Sequence, residues 1–343
     1  MNTLHPLYIE EMETVARMPL PFERLKGKTV AVTGAAGLIG STFLRVLHAA
    51  GHAHQLSLRL IALCRKPEKA RAVLGDIPGL EYMQYDACEP VSDAFQADFI
   101  LHAASNAHPT AFSADPVGTM QANLLGTMYL LENIREHGGR LILCSTGEIY
   151  GENPDMEVFD EISFGAVDPM RARACYPESK RAAEALCAAY AAQYNADALA
   201  ARLCYVYGPA ITKENSRADA QFLRNALGGE DIVMKSPGSQ VRSYCYAADA
   251  AAALLTLMLK GEKGQAYNIA NPMSISSIRD YAQTLACLAG VQLRFELPPE
   301  MEQKGYSTVT RAVLNPEKIM KLGWQPLYDL QTGLKHTLEI SRI

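Results

Sequence analysis

Short apolar runs alternate with longer amphipathic segments along most of the chain. The run KTVAVTG at 28–34 is rich in β-branched residues and predicts a strand, and the following LIGSTFLRVLHAAG predicts a helix. Further strands are predicted at 58–65, 80–86, 98–104, 140–146 and 197–208, and further long helices at 116–137 and in RACYPESKRAAEALCAAYAAQY. Strands that alternate with helices form a parallel sheet covered on both faces, so the fold class is α/β.

A glycine-rich loop joins the first predicted strand to the first predicted helix. The sequence TGAAGLIG at 33–40 contains Gly34, Gly37 and Gly40, and Leu38 and Ile39 begin the helix. Glycines here allow a tight turn, close approach of the backbone to a pyrophosphate and close packing of helix on strand. Because the loop opens the first βα unit of an alternating chain, it predicts dinucleotide binding.

The pattern divides the chain into three parts. Residues 1–26 are an extension, helical in LYIEEMETVARM and broken by the prolines of MPLPFERL. Residues 27–208 form a Rossmann-like domain with a doubly wound parallel sheet, which binds the dinucleotide. Residues 209–343 have short strands among helices, which predicts a smaller α/β substrate-binding cap with some segments returning to the main domain.

Composition narrows the class of protein. A net charge of -5 over 343 residues gives no reason to expect binding to nucleic acid or to a membrane surface. No apolar run approaches the ~20 residues that span a bilayer. The first residues also lack a signal peptide's basic start and apolar stretch. Eight scattered cysteines without a CxxC motif predict reduced, structural thiols and no metal site. We therefore expect a soluble, cytoplasmic protein.

The second predicted strand bears on the choice of cofactor. It ends IALCRKPEK, with Cys64 where a carboxylate would accept a hydrogen bond from the adenosine 2′-hydroxyl and favour NAD. Arg65 and Lys66 follow, and a cation pair without a carboxylate suits a 2′-phosphate. This favours NADP, while NAD stays open, as does a simple solvated turn.

Hydroxyl, phenol and amine side chains follow the strand RLILCST in an order that suits alcohol oxidation. Thr146 and Glu148 lie at its carboxyl end, where open α/β sheets bind ligands. Tyr176 and Lys180 are one helical turn apart in RACYPESK. A phenolate could take the proton of a sugar hydroxyl if Lys180 and a positive nicotinamide lowered its pKa, while Thr146 held that hydroxyl.

With these motifs together, the chain resembles the extended short-chain dehydrogenases/reductases that modify nucleotide sugars, the NAD-dependent epimerase/dehydratase family, over nearly all of residues 27–340. Its segments look most like the UDP-glucuronate decarboxylase (UDP-xylose synthase) branch. The segments that carry this resemblance are HAASNAHPTAFSADPVGTMQANLLGT, RACYPESKRAAEALCAAY, GSQVRSYCYAADAAAALLTLM, YNIANP and LGWQPLYDLQTGL.

The resemblance implies a reaction. Thr146, Tyr176 and Lys180 would oxidise the sugar C4 hydroxyl to a transient ketone, and Glu148 would be the acid/base near C5. The ketone would be the electron sink for loss of CO2 or of the C5 proton, after which hydride returns. Arg242 would contact the diphosphate or carboxylate of the substrate.

The resemblance also implies the remaining contacts and a homodimer. Asp86 matches the acid before the adenine pocket, and Asn123 and Gly126 match the family's NxxGT helix start. The dimer would pair the helices at 116–137 and 176–195. The other implied contacts are Ala103 and Ala104 with the cofactor and Ser105, Asn123 and Arg217 with the substrate.

Departures from the family pattern leave the exact reaction open. Gly147 stands where the decarboxylases have a serine and the 4,6-dehydratases an aspartate, and Tyr205 where an asparagine is usual. Arg202, Arg217 and Arg242 are each candidates to bind a diphosphate. A 4,6-dehydratase, a 4-epimerase, an NADPH-dependent reductase of keto-sugar nucleotides and a non-catalytic dinucleotide sensor remain alternatives.

Overall fold

The computed structural model describes residues 5–75, 77–92, 95–211, 215–297 and 310–342. The strands are β1 Thr29–Thr33, β2 Arg59–Cys64, β3 Leu80–Gln84, β4 Phe99–His102, β5 Arg140–Thr146, β6 Asp197–Leu203, β7 Tyr205–Tyr207, β8 Ile232–Met234, β9 Val241–Tyr246, β10 Ala266–Ile269, β11 Ile275–Ser277, β12 Leu293–Phe295 and β13 Arg311–Ala312. The helices are α1 Pro6–Ala16, α2 Leu38–His54, α3 Pro67–Leu74, α4 Pro109–Ala114, α5 Pro116–His137, α6 Cys175–Tyr194, α7 Ala218–Leu227, α8 Ala247–Lys260, α9 Ile278–Ala289, α10 Glu317–Met320 and α11 Leu330–Ser341.

Seven parallel strands form the main sheet, in the order β10-β6-β5-β4-β1-β2-β3. The order reverses direction between β1 and β4, and the carboxyl ends of both strands meet there. Apolar side chains from both faces are buried, as the strand sequences predict. The predicted doubly wound Rossmann-like sheet is confirmed.

The long helix α5 begins and ends where its local sequence predicts. The Asp115 side chain caps it by accepting a hydrogen bond from the Gly118 amide at 2.9 Å, and Pro116 occupies its first position. Gly138, with φ +77°, follows its last residue. The predicted helix at 116–137 is confirmed.

The run predicted as one strand at 197–208 is two strands in different sheets, so that prediction is wrong. β6 lies in the main sheet, whereas β7 leaves it after Cys204 and pairs in parallel with β9. β9 also pairs with β11 and β13, and β8 pairs with β12. A continuous apolar run carries no signal for such a switch, because both halves are buried.

Segments from both ends of the chain pack on the main domain. β10 joins the main sheet beside β6, and α8 packs against α2. The N-terminal α1 also packs on α2 and α8. Its Glu11 is buried, accepts a hydrogen bond from the Tyr246 hydroxyl at 3.0 Å and pairs with His336 Nδ1 at 2.7 Å. α1 is therefore integrated into the folded body.

Candidate active site

The glycine loop brings the start of α2 against the end of β4. Gly34 has φ +64°, and a Cβ on it would lie 2.6 Å from the Ala103 carbonyl oxygen. A Cβ on Gly40 would lie 2.5 Å from the Gly34 carbonyl oxygen. The loop therefore has no room for side chains at these positions, and α2 begins directly after it, at Leu38 and Ile39.

A buried hydrogen-bonded group holds the two loops together beneath this edge. The Thr33 hydroxyl lies 2.8 Å from His102 Nδ1 and accepts hydrogen bonds from the amides of Ala103, at 3.1 Å, and Ala104, at 3.0 Å. His102 is fully buried, and burial lowers its pKa to about 3. His102 is a packed residue that orders the loop after β4.

A cavity of about 370 Å³ lies at the ends of β2 and β3. Its lining includes Arg65, Asp86 and Tyr85. Asp86 Oδ1 accepts a hydrogen bond from the Cys88 amide at 2.9 Å, which orders the turn. Lys66 precedes α3 as its N-terminal cap residue and is exposed. The structure thus places both Arg65 and Asp86 at the side of the sheet where a dinucleotide's adenosine would lie.

These features fit a nicotinamide dinucleotide. The loop at Gly34 leaves its backbone bare, α2 presents its N-terminus, and the cavity beside Arg65 and Asp86 suits the adenosine half. Further along the same edge, Ser105 Oγ is buried without a hydrogen-bond partner among the described residues. An unpaired buried hydroxyl is costly, so a ligand at this edge would stabilise it.

The predicted base, Tyr176, is buried beside Thr146. Burial and the negative charge of Glu148 raise the pKa of Tyr176, while a hydrogen bond with Thr146 and the charge of Arg217 oppose the rise. The Tyr176 ring stacks on Phe112, with centroids 5.5 Å apart and an interplanar angle of 16°. The phenol is therefore fixed in orientation and requires added positive charge to ionise.

Lys180 lies one turn further along α6 and is fully enclosed. Its Nζ donates to the Cys144 carbonyl oxygen at 2.8 Å, and burial lowers the pKa of the amine to about 8. We predicted that Lys180 stabilises the Tyr176 phenolate. In this structure the ammonium donates to the β5 backbone, and its effect on the phenolate stays a prediction.

Glu148 has a partner that the sequence reasoning missed. Arg173 Nη1 donates to Glu148 Oε2 at 2.9 Å. Arg173 lies in the short 3₁₀ turn Ala172–Ala174 directly before α6. Arg173 is part of the RACYPESK segment, but it is 25 positions from Glu148, and no sequence pattern predicts a contact over that separation.

Two further arginines lie near the same site, Arg217 directly before α7 and Arg242 on β9. Arg217 Nη2 donates to the Val206 carbonyl oxygen at 3.2 Å, and Arg217 Nε lies 3.7 Å from Asp219 Oδ1. Arg242 stacks on Tyr205, with its guanidinium carbon 4.2 Å from the ring centroid. Charges of Glu148, Arg217 and Arg242 all influence the pKa of Tyr205, which burial raises. The predicted cations Arg217 and Arg242 thus both lie near Tyr205, and Arg217 also lies near Tyr176.

Arg202, our third candidate for a diphosphate contact, is part of a buried structural network instead. Its guanidinium binds both carboxylate oxygens of Glu184, at 2.7–3.2 Å, and donates to the Tyr150 hydroxyl at 2.9 Å. Its side chain is 10% exposed. An arginine so engaged has little left for a substrate, and we discard that candidate.

Asn123 lies fully inside the interface between α5 and α6. Its Nδ2 donates to Ser179 Oγ at 2.9 Å, and its Oδ1 has no hydrogen-bond partner among the described residues. Gly126, on the same helix as Asn123, permits close packing of α5 against Ala87, because a Cβ on Gly126 would lie 2.9 Å from Ala87 Cβ. The observed contact of Asn123 joins the two helices, and its contact with substrate stays a prediction.

Gly147 follows Thr146 and faces an apolar neighbour. A Cβ on Gly147 would lie 3.1 Å from Leu314 Cδ1. Leu314 is buried among Ile149, Tyr150 and Phe159. A side chain at this position would therefore meet the apolar side chain of Leu314.

The described residues contain no cluster of three or more His, Cys, Asp or Glu side chains that could hold a metal ion. All eight cysteines lie in the described ranges and are free thiols. Within those same ranges no helix is long and apolar enough to span a membrane.

The amino-acid sequence of this chain matches a protein family and is similar to individual known proteins. The family model described as "NAD dependent epimerase/dehydratase family" matches residues 30–270. UDP-glucuronic acid decarboxylase 1 of Danio rerio is 30% identical over 312 residues, which are 91% of this chain and 72% of that protein.

Solved structures agree in fold. A dTDP-glucose 4,6-dehydratase of Streptomyces venezuelae with bound NAD has a TM-score of 0.77 at 25% identity and covers 92% of this chain and 97% of its own. The UDP-glucose 4-epimerase of Thermus thermophilus, in complex with NAD, has a TM-score of 0.75 at 27% identity. The match covers 92% of this chain and 99% of the epimerase chain.

Proposed function

Because the chain belongs to the NAD dependent epimerase/dehydratase family, we propose that it is a nucleotide-sugar lyase that decarboxylates UDP-glucuronate through a transient 4-ketone. The observation that carries this proposal is the convergence of Thr146, Tyr176 and Glu148 at the carboxyl end of β5. Similarity to UDP-glucuronic acid decarboxylases over most of the chain supports the choice of substrate.

NAD is the cofactor that the family description names. Gly34, Gly37, Leu38, Ile39 and Gly40 would hold its pyrophosphate. Residues that would flank its adenosine and nicotinamide halves are Arg65, Lys66, Asp86, Ala103 and Ala104. When bound, its nicotinamide accepts a hydride from sugar C4 and later returns it.

Each catalytic side chain then has a defined proton task. Thr146 holds the C4 hydroxyl, and Tyr176 takes its proton as C4 becomes a ketone. The bond from C5 to the carboxylate breaks, CO2 leaves, and the bonding electron pair enters an enolate across C4 and C5. Glu148 gives a proton to C5, which restores the ketone, and Tyr176 protonates the C4 oxygen when hydride returns.

Cations of the cap fit the anionic substrate. Arg217 and Arg242 lie near Tyr205, and both lower its pKa. The charge of Glu148 raises the pKa of Tyr205 and of Tyr176. Guanidinium groups bind phosphate and carboxylate oxygens in pairs. We assign Arg217 to the diphosphate, Arg242 to the diphosphate or the C5 carboxylate, and Ser105 and Asn123 to the sugar side.

The test is mass spectrometry of UDP-glucuronate incubated with purified protein and either NAD or NADP. A UDP-pentose or UDP-4-keto-pentose product is expected, with Tyr176→Phe as the inactive control. Unchanged UDP-glucuronate in the presence of demonstrated cofactor binding would refute decarboxylation of this substrate.

A second candidate rests on Gly147, where an added Cβ would lie 3.1 Å from Leu314 Cδ1. Because glycine has no side chain, the site lacks at this position the polar group that would meet a C5 carboxylate, so a neutral hexose is the competing substrate. Water loss from a UDP-, dTDP-, GDP- or CDP-hexose in the same assay would establish a 4,6-dehydratase, and inversion at C4 an epimerase. Net oxidation of NADPH by a 4-keto-sugar nucleotide would establish a reductase, in line with Arg65 at the adenosine side.

We also propose that the protein is a cytoplasmic homodimer that pairs α5 and α6 with their symmetry mates. Free cysteines support a reducing compartment. On α5, Val117 is 66% and Met120 39% exposed. On α6, small exposed residues such as Ala185 and Ala189 would permit close approach of two helices. Sedimentation of the wild type and of Ala185→Glu tests this, and a monomeric wild type would refute it.

A further inference from the structure

Arg173 and Glu148 form an ion pair at the mouth of the site. Arg173 Nη1 donates to Glu148 Oε2 at 2.9 Å, and the two side chains are 50% and 26% exposed. The other oxygen, Glu148 Oε1, is hydrogen-bonded to none of the residues that the structure describes. One carboxylate oxygen is therefore held and the other is available to a ligand.

Arg173 is linked to Tyr176, the predicted base, through the ring of Phe112. Its guanidinium carbon lies 5.4 Å from the centroid of Phe112. Phe112 is 2% exposed and stacks on Tyr176. Cys175 Sγ also donates to the Phe112 carbonyl oxygen at 3.7 Å, which ties α4 to the start of α6. A continuous set of contacts thus runs from Glu148 through Arg173 and Phe112 to Tyr176.

We propose that Arg173 is a positioning residue that directs Glu148 Oε1 toward sugar C5 and stabilises the carboxylate formed when Glu148 gives up its proton. The proposal rests on the proposed function, because it assigns Glu148 to C5. After the transfer, the electron pair of the O–H bond stays on Glu148, beside the Arg173 guanidinium. Glu148 then takes up a proton from solvent, which is the one proton that each decarboxylation consumes.

Arg173 is suited to this task for three reasons. A guanidinium keeps its charge throughout the pH range of the reaction, so Glu148 is the only group of the pair whose ionisation changes. Burial lowers the pKa of Arg173, but the charge of Glu148, the hydrogen bond to it and smaller contributions from Tyr205 and Cys175 together raise the pKa overall, so the guanidinium stays charged. The contact with the Phe112 ring restricts the position of the Arg173 guanidinium. Because Phe112 also stacks on Tyr176, the guanidinium is positioned relative to Tyr176.

The kinetic test compares Arg173→Gln with Arg171→Gln. Arg171 is two residues away, 73% exposed and paired with Asp168, so its variant removes the same charge from outside the site. Arg173→Gln should lower kcat for UDP-glucuronate about 10- to 100-fold, with KM little changed, because a displaced acid slows the proton transfer. Arg173→Lys should recover part of the rate, and Arg171→Gln should match the wild type.

Two readouts separate positioning from a merely structural role. In D2O, the wild type should place deuterium at one C5 position of the product, whereas Arg173→Gln should give both positions. In the Glu148→Gln background, Arg173→Gln should cause no further loss, because the group it positions is already gone. Losses of kcat that add up in the double variant would overturn the proposal, because the two residues would then act independently. A raised KM with unchanged kcat would also overturn it and make Arg173 a substrate contact.

The failure of this inference is distinguishable from failure of the proposed function. If the wild type releases no CO2, the decarboxylase assignment fails, and the pair is then judged without turnover. The 13C chemical shift of the Glu148 carboxyl, assigned by its loss in Glu148→Gln, should change in Arg173→Gln at pH 7 and not in Arg171→Gln. An unchanged shift would overturn the pairing itself, and thermal melting verifies that each variant is folded.

Discussion

Replacing Gly34 by alanine tests how the cofactor loop is built, and Gly27 provides a matched control. Both glycines have nearly the same positive φ, +64° and +68°. At Gly34 an added Cβ would lie 2.6 Å from the Ala103 carbonyl oxygen, whereas at Gly27 nothing lies within 4 Å. The two substitutions therefore share the strain of a left-handed alanine and differ in the clash.

The magnitudes follow from these two terms. A left-handed alanine costs about 1–2 kcal/mol, so this is the loss expected for Gly27→Ala. The clash at Gly34 is with backbone, which cannot rotate away, and overpacking of this kind adds about 1–3 kcal/mol. Gly34→Ala should therefore destabilise the protein by about 2–5 kcal/mol.

Urea denaturation measures the free energy of unfolding of both variants, and calorimetric titration with NAD measures their affinity. Gly34→Ala should also weaken NAD binding, because relief of the clash displaces the loop that would hold the pyrophosphate, while Gly27→Ala should bind NAD like the wild type. Equal losses of stability in the two variants would refute the reasoning, since they would mean that the clash with Ala103 contributes nothing.

Buried groups carry three further predictions. Tyr176→Phe should lower turnover by a factor of about 10² to 10⁴ with NAD affinity retained, and a variant of near wild-type rate would exclude Tyr176 as the base. Arg202→Met should destabilise the protein by about 3–5 kcal/mol by stranding Glu184, with KM unchanged below the melting transition; a raised KM at unchanged stability would restore Arg202 as a substrate contact. His102 has its pKa lowered from 6.5 to about 3 by burial, so the unfolded chain binds a proton in this window that the folded chain does not. Stability should therefore be lost as the pH falls from 6.5 toward 3, and His102→Asn should flatten this part of the pH dependence of unfolding; an unchanged slope would contradict the assignment.

The sequence by itself determined what depends on near neighbours. Asp115, Pro116 and Gly138 place the ends of α5, because caps act within one helical turn. The glycines of TGAAGLIG mark the phosphate loop, because a missing Cβ is a local property. The spacing of Tyr176 and Lys180 places both on one side of α6 for the same reason.

Only the tertiary structure decided which distant groups meet. It divided 197–208 between two sheets, engaged Arg202 with Glu184 rather than leaving it for a ligand, and enclosed Asn123 between α5 and α6. It also brought Arg173 onto Glu148 across 25 residues. A side chain's type limits which partners it accepts, but its actual partner depends on chain paths that are far apart in sequence, and no local pattern records them.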